Sequence, residues 1–134
     1  MSMVDEIAVL LQDSGSGTLA TNLFKRHMPN DPDDALCIVQ YEGDAPEFVQ
    51  DNIDIEVEHP SLQIVSRSLN PRTAETNLDG PYRLLMRIRN QVINGTRYVS
   101  ITPKMTPSIV DRDDNGRFIA RCDFFVRKEL SSAI

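Results

Sequence analysis

The run FIARCDFFVR, residues 118 to 127, alternates with period two. Phe118, Ala120, Cys122, Phe124 and Val126 fall on one side, and Arg121, Asp123 and Arg127 on the other. That spacing predicts a half-buried antiparallel strand with one apolar and one wet face. Just before the strand comes DRDDNGRF, residues 111 to 118, in which Asp111, Asp113 and Asn115 precede Gly116. Oxygen ligands at alternate positions before a glycine are how a calcium-binding helix–loop–helix site begins, but such a loop needs a bidentate Glu at its twelfth position. That position is Cys122, and strands stand where helices should flank the loop. The same residues predict a β-hairpin, because Asn115-Gly116 suits a tight primed turn with positive φ at both central positions. Its other strand is PSIVDR.

The rest of the chain divides by period. Val4, Ile7, Ala8 and Leu11 have the spacing of one face of an amphipathic helix, stopped by SGSG. NLFKRHMPNDPDDALCIVQYEG reads as a short strand, a Pro/Asp turn and a strong strand through Ala35–Tyr41. PSLQIVSRSL is a further strand, with Leu62 and Ile64 on one face. Asn70 followed by Pro71 opens a longer helix, and Ala74, Leu78, Leu85, Ile88 and Val92 continue its stripe to a stop at Asn94-Gly95. Gly80-Pro81 either kinks that helix or splits it. TRYVSITPKM is another strand. The expected fold is a single α+β domain over residues 1–134. A mixed, mostly antiparallel sheet is packed by a short N-terminal helix and one longer central helix.

The net charge of −6 conceals an asymmetry. Residues 1–66 hold two basic and thirteen acidic side chains, whereas residues 67–134 hold twelve basic and seven acidic. Seven of the acids lie between Glu42 and Glu58, with no Lys or Arg among them, and a flexible acidic loop is expected over about 43–58. An acidic total argues against tight, extensive duplex binding. Complementary halves favour a head-to-tail contact between copies, since such an interface uses two different patches on each. The residues expected at it are Phe48, Val49, Asp51, Ile53, Asp54, Ile55 and Glu56 from the acidic stretch. Arg83, Arg87 and Arg89, placed on the wet face of the central helix, would grip an anionic partner.

No catalytic or metal constellation emerges. Two histidines, His27 and His59, and two cysteines, Cys37 and Cys122, stand too far apart in sequence for a zinc signature, and the cysteines sit in apolar runs as small hydrophobes do. The expectation is no enzyme, no cofactor and no metal. The N-terminus carries acids where a secretory signal carries bases, and no apolar run reaches about 20 residues, so neither export nor a membrane span is expected.

Over its whole length the chain resembles the small minor capsid and tail-terminator proteins of long, non-contractile-tailed bacteriophages. GTLATNLFKRHMPNDPDDALCIVQYEG is similar to their opening, a G-T-x-x-x-x-L-F segment and a Pro/Asp turn before a strand. INGTRYVSITPKMTPSIVDRDDNGRFIARCDFFVRK is similar to their ending, with ING-T-x-Y, a Pro-containing bend, R-D-x-x-G-R and a final strand. The match departs most in the acidic stretch and at Gly80-Pro81. The resemblance implies a structural virion protein, made in the host bacterial cytoplasm. The resemblance further implies a ring, commonly of six, that caps the tail tube and offers a surface for head–tail joining. Its implied partners are other copies of itself, the tail tube protein and a head-completion or connector protein. In such a ring DNA is expected to pass without specific binding, since an acidic lining would repel it across a Debye length of roughly 8–10 Å. The rival readings are a monomeric head-completion or regulatory binding module and a small Cys/His enzyme.

Overall fold

The alternation along FIARCDFFVR makes this segment the centre of the sheet. In a computed structural model that describes residues 2–49 and 52–131, with side chains for 2–41 and 57–129, the elements follow one another along the chain. They are α1 (Met3–Asp13), β1 (Leu23–Lys25), β2 (Ala35–Val49), β3 (Asn52–Ser68), α2 (Pro71–Leu85), β4 (Arg89–Ile93), β5 (Thr96–Pro103), β6 (Ser108–Arg112) and β7 (Phe118–Ser131). The strands form one sheet in the order β1-β2-β3-β7-β5-β4, with β6 also on β7. The short β1 runs parallel to β2 and every other pairing is antiparallel. This is the expected α+β architecture.

Both helices cover one face of the sheet. Ser2 caps α1 in a reciprocal capping box with Asp5, which satisfies amide donors that an uncapped first turn would leave open. Met3, Val4, Ile7, Ala8 and Leu11 of α1 join Ala74, Leu78 and Leu85 of α2 against Leu36, Ile38, Leu62, Ile64, Ala120, Cys122, Phe124 and Val126 of the sheet. Helix α1 meets β1 and β2 at one side and β4 at the other, while α2 lies on β3 and β7, so the sheet curls around α1. Burying one Leu of this cluster is worth about 1.5–3 kcal/mol.

Helix α2 starts as expected, with the Asn70 side chain accepting from the amides of Arg72 and Thr73 at 2.9 and 3.4 Å. It runs unbroken through Gly80 and Pro81 to Leu85. Ala74, Leu78, Pro81 and Leu85 are all buried on one stripe. Burial of Leu78 and Leu85 offsets the roughly 3 kcal/mol that an internal proline costs. The helix does not continue to Asn94, however. Arg89–Ile93 forms β4, and Asn94 and Gly95 have φ of 48° and 86°. The Asn-Gly pair read as a helix stop is therefore the two-residue primed turn of the β4–β5 hairpin, where Ile93 pairs with Thr96. Ile88 is buried and Val92 is 65% exposed, so their helical spacing was coincidental.

The second Asn-Gly turn differs from expectation in kind. β6 and β7 do pair across it, Arg112 opposite Phe118, but Gly116 alone has positive φ, at 77°. The Gly116 amide donates to the Asp113 carbonyl at 3.1 Å, and the Asp113 amide donates to the Arg117 carbonyl at 2.8 Å. That is a three-residue loop with glycine at the left-handed position. The Asp113 carboxylate selects it, because its Oδ1 accepts from the amides of Asn115 and Arg117 at 3.0 and 2.8 Å. Those bonds engage an oxygen that a calcium loop would need.

Candidate assembly surface

Among the described residues the acidic stretch is strand and not loop. β2 continues to Val49 and β3 begins at Asn52, pairing Asp44 with His59 and Phe48 with Glu56 through several register shifts. The alternation in NIDIEVE, with Ile and Val at every second place, explains the strand. β7 flanks this ribbon as far as Ser131, opposite Ile55, whereas β5 leaves β7 at Lys128. Among the described residues the sheet thus narrows from its full width to the three strands β2, β3 and β7. From Tyr41 to Val49 the strand covers roughly 25 Å at about 3.3 Å per residue. Phe48, Val49, Ile53, Asp54, Ile55 and Glu56 lie on this ribbon, with side chains outside the described residues, and Asp51 lies outside them altogether.

The three arginines expected on one wet helix face are dispersed. Arg83 is on α2, paired with Asp79 at 3.2 Å. Arg87 is exposed in the turn after the helix, and Arg89 is on β4, where its guanidinium donates to the Ile88 and Ile101 carbonyls at 2.8 Å. They share no helix face because the helix ends at Leu85.

Much of the basic half is also committed inside the subunit. Arg67 donates to the carbonyls of Asn30, Pro32 and Asp33. Burial and the nearby Arg117 guanidinium lower its pKa. Arg117, nearly buried, donates to Asp113 at 2.7 Å and to Asn30. Together they pin the Pro/Asp turn before β2 to the start of β7. Arg97 pairs with Glu129, and Lys128 lies 3.8 Å from Glu58. Charge counted by halves of the chain therefore overstates the free basic surface.

A second surface lies on the sheet face turned away from the helices. The ammonium of Lys104 sits 4.8 Å from the Tyr41 ring centroid and 4.5 Å from that of Phe125. It donates to the hydroxyls of Ser61 and Tyr41 at 2.8 and 3.1 Å. Tyr41 in turn donates to Asp123 at 2.9 Å, and Gln63 donates to the other Asp123 oxygen at 3.3 Å. Arg121 lies beside it, 3.8 Å from Asp123. Phe125 is 55% exposed in the middle of the sheet. The sequence held a signal for it, since adjacent Phe124 and Phe125 on a period-two strand must point to opposite faces.

Neither cysteine is placed for nucleophilic chemistry. Cys37 and Cys122 are buried and free, and burial pushes their thiols up to about 11 and about 12. Among the described residues no group of three or more His, Cys, Asp or Glu side chains could hold a metal ion, and no helix is long and apolar enough to cross a membrane.

Residues 10–129 match the family model described as bacteriophage tail terminator protein. The chain belongs to the bacteriophage tail terminator family. No curated protein matches it. Membership makes this tail terminator a component of the virion that works with other tail and head proteins, and a structural family points away from catalysis. The fold and the surface cluster thereby acquire a setting. A terminator acts through its surfaces, so the acidic ribbon and the Phe125 face are the features to explain.

Proposed function

We propose that this tail terminator closes as a ring on the last ring of the tail tube, stops its growth and presents a surface to the head connector. The observation that carries the reading is the β2–β3 ribbon, which extends beyond β4 and β5 with β7 beside it and holds seven carboxylates with no Lys or Arg between Glu42 and Glu58. A projecting segment of one charge, with Phe48, Val49, Ile53 and Ile55 among the acids, suits a contact between neighbouring subunits. Apolar residues supply the centre of such a contact, and charge sets register and association rate. The exposed edge strands β4 and β6 are further places where another chain can pair. DNA passes the ring without specific binding.

Assembling tails with and without the protein tests this. Overlong or headless tails are expected in its absence; normal-length tails that still join heads overturn the assignment. Reversing Asp51, Asp54 and Glu56 to Lys should block assembly while leaving the subunit folded. Unaffected rings would reduce the ribbon to a solvated extension.

A further inference from the structure

Phe125 is an aromatic side chain standing more than half exposed on the central strand of the sheet, on the face that neither helix covers. Its cross-strand neighbours on that face are Ser61 of β3 and Thr102 of β5, too small to shelter it. What holds it is Lys104, fixed over its ring and over Tyr41, and anchored by hydrogen bonds to Ser61 and Tyr41. Aromatic residues and arginines locked in place before binding are the groups that carry most of the energy of protein interfaces. Among the described residues the charged groups fixed around this cluster are Lys104, Arg121 and the buried Asp123, two positive against one negative, so the cluster is net positive.

We infer that this face, centred on Phe125 and Lys104, is the seat for the acidic β2–β3 ribbon of a neighbouring copy of the chain. The inference rests on the ring reading above and names its two mating surfaces. Charge complementarity selects the occupant: the only stretch of this chain that combines several carboxylates, no basic residue and alternating apolar side chains is 42–58. Geometry selects a second copy. Within one subunit the ribbon prolongs β2 and β3 in the plane of their own sheet, so it cannot fold back over the face of β3, β7 and β5 without breaking its ladder. A ribbon on one copy and a seat on the next make a heterologous contact, the kind that repeats around a ring.

Photo-crosslinking in assembled tails tests it. Full-length chain carrying p-benzoylphenylalanine in place of Phe125 is prepared in isotope-labelled and unlabelled form, mixed, assembled onto tails and irradiated. The expected product joins position 125 of one isotope form to a peptide within residues 42–58 of the other. It should be lost with Lys104→Glu and regained when the same chain also carries Asp54→Lys and Glu56→Lys. Cross-links only to the tube subunit, the connector or DNA, links within one copy, or no link at all would overturn the inference. Electron microscopy of the same tails separates the two levels. A ring whose position 125 is linked elsewhere refutes the seat alone, whereas tails with no ring refute the ring reading as well.

Discussion

The phenol of Tyr98 on β5 donates to a carboxylate oxygen of Glu6 on α1 at 2.9 Å, with both residues almost wholly buried. Thr96 donates to the other oxygen at 2.7 Å. Burial and the Glu6 carboxylate raise the Tyr98 pKa, so the phenol stays a neutral donor. Tyr98→Phe keeps the ring and removes the donor. It should cost about 1–3 kcal/mol, the penalty for leaving a buried acceptor short of a partner. The measurement is the urea midpoint at unchanged m-value; an unmoved midpoint would show that the pair does not hold α1 to the sheet.

At the β6–β7 hairpin, Gly116→Val should destabilise the fold by about 1–3 kcal/mol, because a β-branched residue resists the φ of 77° found there. Asn115→Ala should be mild, since Asn115 has no positive φ to maintain. Millimolar calcium should leave the thermal midpoint unchanged, and a rise of several degrees would restore the metal-loop reading.

Acid should weaken the same hairpin. Burial alone would raise the Asp113 carboxyl, but the hydrogen bonds and charge of Arg117, with the Asn115 amide, hold it below its ordinary value. A depressed folded pKa contributes stability that is complete above the unfolded value, about 3.9, and is lost as the pH falls through the folded one. Asp113→Asn should therefore lower stability at pH 7 and flatten the fall below about pH 4. Thermal melts of both proteins across that range check it, and parallel curves would contradict it.

The thiols of Cys37 and Cys122, pushed up by burial to about 11 and about 12, should resist alkylation at neutral pH until the chain unfolds. Quantified labelling with and without denaturant tests this. Rapid modification of either native thiol would reopen the Cys/His enzyme reading.

The fold was legible wherever one period ran unopposed. The α1 stripe from Val4 to Leu11 and the β7 alternation from Phe118 to Val126 each had one apolar face, and each formed as read. Reading failed where two signals overlapped. Ile88 and Val92 continued a helical stripe by chance, and only the pairing of β4 with β5 ends the helix before them. In the acidic stretch, charge suggested a loop while alternating Ile and Val favoured a strand, and pairing with β7 completed the strand. The surface around Lys104 was illegible for a different reason. Tyr41, Ser61 and Phe125 come from three strands and Lys104 from the bend after β5, and only the register brings them together. The charge of the second half was miscounted as surface because sequence does not reveal which arginines, such as Arg67 and Arg117, are spent on internal loops.

Electron cryomicroscopy of purified tails should show a closed ring of this protein seated only at the head-proximal end of the tube and absent from tails made without the chain. Density for the protein at the distal tip or along the tube, or an unchanged head-proximal end in tails lacking it, would contradict it.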